Sequence, residues 1–289
     1  MKKKNHQIIL KLFFVLLCAM IIFPFWLLVS ASFSSAQSLA VNGYQLWPKP
    51  FDLSAYKYVF SNPTQIVRAY GVTFVFSISS MFFSVLLMSM VAYPLSRRGF
   101  RGKKAINFFL YFTMLFHGGL VPTYILISKF LHLNDTIWVY IIPGLINPWY
   151  VFMIRTFFKG IPEEVLEAVT IDGLSEYGIY ATMIIPLSKP VLATVALFTF
   201  LGKWNDWNTA LIYITKPELY SLQYLLQKIM EDLKIVRENQ NLGMDLMQDV
   251  PSETVRMAFA VIVAGPALVV FPFFQKYFVK GLTVGAVKG

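Results

Sequence analysis

The sequence predicts an all-α, polytopic membrane protein with six transmembrane helices, and three observations predict it. First, 57% of the 289 residues are hydrophobic, 17% are aromatic and only 14% are charged, against about 25% charged in an ordinary soluble domain. That much apolar surface cannot be hidden in one soluble core of this size. Second, the apolar residues gather in runs near the length of about 20 residues that a helix needs to cross a bilayer. Third, the basic residues behind the net charge of +10 cluster at the ends of those runs, as the membrane surface requires.

Taken in order, the spans are Leu12–Val29, Val72–Leu95, Ala105–Ser128, Thr136–Ile154, a fifth beginning near Pro190, and Met257–Gln275. The fifth is purely apolar only as far as Gly202. It reaches full length either by running on through Trp204–Trp207 to Ile214, with Lys203 and Asp206 inside it, or by starting at Ile184 and ending near Leu201, with Lys189 snorkelling at its end. The first span has a basic start, Lys2-Lys3-Lys4, and a small-residue stretch, Ser30-Ala31-Ser32, like a signal peptide. Its apolar run exceeds the usual 7–15 residues of such a segment, so it reads as an uncleaved helix. The chain reads as one membrane domain, 1–289, with no internal repeat.

Orientation follows the distribution of Lys and Arg. Lys2, Lys3, Lys4 and Lys11 precede span one; Arg97, Arg98, Arg101, Lys103 and Lys104 separate spans two and three; Lys276, Lys280 and Lys288 follow span six. Both termini are therefore expected in the cytoplasm, the loops near 30–70 and 215–255 outside, and the segment Arg155–Lys189 inside. In the outer loop, Leu222, Leu225, Leu226, Ile229 and Leu233 have helical spacing and predict a short surface helix. The stretch Arg237–Asp249 is polar.

Several chemistries are excluded or disfavoured. The single cysteine, Cys18, rules out an intrachain disulfide and a cysteine metal cluster. His6, His117 and His132 are far apart, without ligand spacing, and no metal site is expected. No basic face interleaves with stacking aromatics, so nucleic acid is not an expected partner. There is no Gly-x4-Gly-Lys-Ser/Thr loop to cradle ATP. No nucleophile and base converge, which argues against a membrane-embedded enzyme.

The segment between spans four and five is unusual. A cytoplasmic loop is commonly basic, yet this one holds Glu163, Glu164, Glu167, Asp172 and Glu176. Gly160-Ile161-Pro162-Glu163-Glu164 reads as a helix start, with Pro in the first turn and acids on the positive end of the dipole. Gly173 is placed to break that helix, and a second begins near Ser175. The bland reading is a solvated amphipathic loop; the sharper one is a docking element for a cytoplasmic partner.

Glu167-Ala168-Val169-Thr170-Ile171-Asp172-Gly173, with Pro186 thirteen positions after Gly173, resembles the EAA loop of ABC-importer permeases. That loop runs Glu-Ala-Ala, three residues, Gly, nine residues, Ile, one residue, Leu-Pro. Here Val169 replaces the second Ala, Met183 stands at the Ile position and Ile185 at the Leu position. The stretch from Ile161-Pro162 through Asp172-Gly173 to Pro186-Leu187 and Pro190 resembles the carbohydrate, MalG-like branch. Phe116-His117-Gly118-Gly119-Leu120-Val121-Pro122-Thr123-Tyr124 is similar to its LplC/YtcP-type subgroup. Trp204-Asn205-Asp206 and the C-terminal Lys280-Gly281-Leu282 and Gly285-Ala286-Val287-Lys288-Gly289 extend the resemblance over nearly the whole chain.

The resemblance implies a type I importer permease fold, with coupling helices in a loop at about 159–187. It implies four kinds of partner: a second MalF-like permease subunit, an ABC ATPase dimer that binds ATP and Mg, an external solute-binding protein, and membrane lipid. No cofactor is expected in this chain, and its place is a bacterial cytoplasmic membrane. ATPase coupling would fall on Glu163, Glu164, Glu167, Ala168, Asp172, Gly173, Pro186 and the tail residues Lys288 and Gly289. The carbohydrate path would use aromatic faces with hydrogen-bonding neighbours: Asn147, Trp149 and Tyr150 in span four, and Trp204, Asn205, Asp206 and Trp207. For each Trp the alternative is an interfacial anchor. For Asp206 it is an ion pair with Lys203 one helical turn earlier. Two other classes stay open: a permease for a non-sugar solute, and an ion-coupled secondary transporter, for which Asp206 is the plausible buried acid.

Overall fold

The computed structural model describes residues 2–162, 164, 166–167, 173–241 and 252–286. Their regular structure is helical, apart from an isolated antiparallel bridge between Ser34 and Phe51. The chain divides into two compact units, Met1–Val67 with Leu225–Pro266, and Arg68–Tyr224 with Ala267–Gly289.

In the first unit, helix α1 (Lys2–Ser32) has no buried residue across its apolar window. A helix so apolar and so uncovered is suited to lipid rather than water. The chain then folds back on the end of α1. Trp26 Nε1 donates to Leu46 O at 2.8 Å, Phe33 stacks on both Phe51 and Tyr56, and Ser32 Oγ meets Tyr56 OH at 2.9 Å. Two short helices, α2 (Ala36–Asn42) and α3 (Ser54–Val59), lie in this return. Ser35 caps α2 through Ser38 N, and Asp52 accepts from Ser54 N and Oγ at the start of α3.

Helix α4 (Pro63–Ser96) contains the expected second span and extends it at its start. Thr73, Ser77, Ser80 and Ser84 are all buried along it, a stripe of small side chains of the sort that lets membrane helices pack closely. The expected third span is broken. α5 (Lys103–Leu115) and α6 (Leu120–Ile125), which runs on as a wide π-turn to Phe130, meet at 115°. The cause lies in Phe116–Gly119: Gly119 has φ of +88°, open to glycine and costly for other residues. His117 occupies this break, where its Nδ1 accepts from Gly119 N at 3.2 Å.

The expected fourth span is also split, into α7 (Trp138–Ile141) and α8 (Pro148–Lys159). Pro143 and Gly144, the latter at φ +82°, end the first piece. Asn147 starts the second by accepting from Trp149 N at 2.9 Å, with Pro148 at the first helical position. After the acidic segment come α9 (Glu176–Ile179), continued through a π-turn and Ile185–Leu187, then α10 (Lys189–Trp204), α11 (Asn208–Tyr213), α12 (Leu222–Asn241) and α13 (Ser252–Ala286). The surface helix expected from Leu222 is α12. The fifth span follows neither sequence choice. Its helix starts at Lys189 and stops at Trp204, so Lys203 is inside and Asp206 outside.

Among the described residues, three helices are long and apolar enough to cross a membrane alone: Gln7–Ser32, Pro63–Ser96 and Glu253–Gln275. Two bent pairs, Lys103–Leu115 with Leu120–Phe130 and Glu176–Leu187 with Lys189–Trp204, bring the number to five. The split at 142–147 keeps the expected fourth span from meeting the same test.

Two apolar clusters organise the second unit. One joins α4, α8 and the acidic segment after α8 through Met88, Leu95, Ile154, Phe158, Leu166, Ile179 and Ile184. The other joins Phe76, Tyr140, Ala210, Tyr213 and Tyr220, with Phe76 and Tyr140 stacked at 4.3 Å and 7°.

Candidate functional site

The acidic segment expected to dock a partner leaves α8 at Gly160. Glu164, Leu166 and Glu167 have helical backbone. Leu166 is buried in the first apolar cluster, and Ile161 packs against it. The two carboxylates remain exposed. One face of this turn is thus anchored to the bundle, while its charged face is left for something else. Gly173 has φ of +82°, as the sequence-based break requires, and the next helix begins at Glu176, capped by Ser175 Oγ, which accepts from Gly178 N at 3.2 Å. Glu163, Ala168, Asp172, Lys288 and Gly289 lie outside the described residues.

Glu164 and Glu167 line a cleft of about 890 Å³ together with Arg97, Arg98, Lys103 and Lys159. Acidic and basic side chains thus share one cleft at the ends of α4, α5 and α8. Arg155 ties these ends together, donating from Nε to Leu95 O at 3.1 Å and from Nη1 to Asn107 Oδ1 at 3.0 Å. It was not among the sequence candidates. A lone Arg at the end of an apolar run is read as an orientation signal, and its carbonyl partner has no trace in composition.

Pro186 is exposed in the short turn Ile185–Leu187, and Pro190 sits at the start of α10. Between them Ser188 is buried, and the helices on its two sides meet at 78°. Each proline lacks the N–H a continuous helix would use, which accounts for a bend at this point.

The residues proposed for the substrate path divide by exposure. Asn147 and Trp149 are exposed, and Tyr150 is half-buried against Phe198, with ring centres 6.4 Å apart. Trp204 is 1% exposed, stacked on Phe200 at 5.7 Å and near Tyr70. Trp207 is 41% exposed. Asn205 is exposed and accepts from Gln223 Nε2 at 3.0 Å. Asp206 accepts from Thr209 N at 3.0 Å and from Thr209 Oγ1 at 2.6 Å, capping α11. The alternative of an ion pair with Lys203 is replaced by this arrangement, because Lys203 donates to the carbonyls of Tyr140 and Pro143. No group of His, Cys, Asp and Glu able to hold a metal occurs among the described residues.

Apolar helices long enough to cross a bilayer, two bent helix pairs and an exposed acidic turn mark a helical membrane protein. Residues 60–284 match the binding-protein-dependent transport system inner membrane component family, and the chain belongs to it. It is 39% identical over 273 residues to the protein LplC of Bacillus subtilis, covering 94% of this chain and 90% of the relative. It is 34% identical over the full length of both chains to the polygalacturonan/rhamnogalacturonan transport system permease protein YtcP of the same organism. A chain from the crystal structure of a bacterial ABC transporter that imports the acidic polysaccharide alginate superimposes with a TM-score of 0.81 at 27% identity, covering 96% of this chain and 98% of that one. This chain is therefore an inner-membrane ABC-importer permease, a transport subunit rather than an enzyme.

Proposed function

We propose that the chain forms half of the path by which a carbohydrate, an oligosaccharide or polysaccharide fragment, enters a bacterial cell. The sugar class rests on the relatives, since YtcP and the alginate importer are named for polysaccharide transport. An external binding protein delivers the sugar, a second MalF-like permease completes the path, and a dimer of ABC ATPases binds ATP and Mg on the inner side. This chain itself needs no cofactor. In this reading it is one permease domain with six spans and both termini in the cytoplasm, so that the basic ends of α4 and α5 and the coupling segment face inward. Its broken fourth span holds Asn147 on the path, with Trp149 and Tyr150 beside it; Asn205, Asp206 and Trp207 line the far end. The tail residues Lys288 and Gly289 reach towards the ATPase.

One observation carries the coupling role: Leu166 is buried while Glu164 and Glu167 beside it are exposed. A turn fixed to the bundle on one side and charged on the other can pass motion from a docked subunit into the spans. The test is Glu167→Lys, assayed by co-purification of the ATPase. Like charges brought together at an interface cost several kcal/mol, so the variant should insert in the membrane yet lose its ATPase. Full retention of the ATPase with full uptake would refute docking at Glu167.

A further inference from the structure

α4 carries Ser89 and Tyr93 four residues apart on one face near its end, and Arg97 follows at the same interval just past its last residue, Ser96. The helix that follows Gly173 carries Glu176 and Tyr180 at the same interval. The stripes meet rung by rung, in opposite directions. Tyr180 OH lies 2.7 Å from Ser89 Oγ, and since the Ser89 hydroxyl donates to Leu86 O at 2.9 Å, Tyr180 is the donor. Tyr93 OH donates to Glu176 Oε2. Arg97 Nη2 pairs with Glu176 Oε1 at 3.3 Å. Buried Ile179 and Ile184 pack beneath the rungs with Met88, Ala92 and Leu95.

The Glu176 side chain is 61% exposed and that of Arg97 23%, and ion pairs so open to water add little to stability. The apolar cluster already holds the helices together. What the rungs add is direction: an apolar face alone tolerates sliding and rotation, whereas matched polar pairs at a fixed interval specify one register. The next joint along the chain is the 78° bend at Ser188.

We infer that Glu176 is a positioning residue, clamping the helix after the coupling turn to the end of α4 so that the two move as one body about the Ser188 bend. Displacement of the coupling segment then carries α4 with it. The inference rests on the docking role proposed above for the preceding turn.

The test uses the whole reconstituted importer, with the cognate binding protein as purified with its endogenous sugar. The quantity read is stimulation of ATP hydrolysis by that binding protein. Glu176→Ala should keep its ATPase, and stimulation should fall by at least about fivefold, the lower end of ordinary coupling between distant sites. Glu176→Gln, which still offers Tyr93 an acceptor, should fall less. In a Cys18→Ser chain carrying Arg97→Cys and Glu176→Cys, a short bifunctional thiosulfonate should restore stimulation by bridging the two helices. Unchanged stimulation in Glu176→Ala overturns the inference, as does a bridged complex that stays unresponsive. Loss of the ATPase from Glu176→Ala also overturns it, since Glu176 would then be a docking residue. Glu167→Lys separates the two ideas: an ATPase retained there defeats the docking reading, whatever Glu176 does.

Discussion

Lys203 Nζ donates to the carbonyl of Pro143 at 3.1 Å and also to that of Tyr140, across 60 and more positions of sequence. Both carbonyls lie at the break between α7 and α8, where helical N–H partners are missing. An orphaned carbonyl away from water is costly, and the C-terminal end of a helix favours a cation. The lysine of one span thus repairs the interruption in another. Lys203→Met, similar in length but without donors, should lower stability by about 1–3 kcal/mol, the usual cost of a buried polar group left unpaired. Thermal melting of the purified chain in detergent checks this, and a melting point equal to that of the unaltered chain would show that water replaces the ammonium.

Asp135 provides a prediction with a pH sign. Its backbone sits at φ +53°, and its carboxylate accepts from Thr215 N at 2.6 Å, Thr215 Oγ1 at 2.7 Å and Lys216 N at 3.1 Å. The Thr215 N–H is the foremost cause that holds this carboxyl below its ordinary range. A depressed pKa contributes stability that is complete above the unfolded value of about 3.9 and is lost as pH falls through the lower folded value. Asp135→Asn should therefore melt below the unaltered chain by a constant interval near neutral pH. Under acid, below about pH 4, the interval should shrink. An interval independent of pH down to that range would mean the clip owes nothing to the charge.

Trp204 and Trp207 should behave differently, although sequence spacing treats them alike. At 1% exposure, Trp204→Ala should cost about 3–5 kcal/mol, as truncating a large core side chain does, and its complex should fail to accumulate. Trp207, 41% exposed, should be dispensable for assembly and should reduce uptake of the sugar if it stacks on the substrate. Complex yield and uptake, measured separately for each variant, decide the matter. A Trp207→Ala complex with full uptake would remove that residue from the path.

That pair shows what the sequence could and could not convey. Period and run length predict apolar helices, and α1, α4 and α13 follow because nothing inside them contradicts the run. Gly118-Gly119 and Pro143-Gly144 stand inside the predicted spans, yet composition does not say how far a glycine or proline bends a helix; the 115° turn at Phe116–Gly119 and the split before Pro148 depend on which groups replace the lost hydrogen bonds. The break at Gly173 was legible because a glycine followed by Ser175 is a local signal for a turn and a new helix start. Lys203 with Pro143, Arg155 with Leu95, and Tyr93 with Glu176 were not, since each joins residues 60 or more apart and one partner is often only a carbonyl.

Gly173 supports a graded prediction. Its φ of +82° lies in the left-handed region, yet a Cβ added there would meet no atom within 4 Å. The cost of substitution is therefore one of backbone conformation and not of collision. For an L-residue that cost is roughly 1–2 kcal/mol. It is smaller for Asn, which enters this region several-fold more often, and larger for a β-branched side chain. Gly173→Asn should thus couple nearly as well as the unaltered chain, Gly173→Ala less well, and Gly173→Val least. Membrane insertion should be the same in all, because the residue lies outside the apolar helices. The turn redirects the chain between the exposed acids and the helix clamped to α4, so strain here should tilt Glu167 away from its partner without touching the sugar path. Binding-protein-stimulated ATP hydrolysis should then decline in that order while sugar affinity of the binding protein is unchanged. A Val variant as active as Gly would mean that the turn is not held in this conformation in the working complex, and a loss equal in Asn, Ala and Val would mean that bulk, not backbone conformation, is what the site excludes.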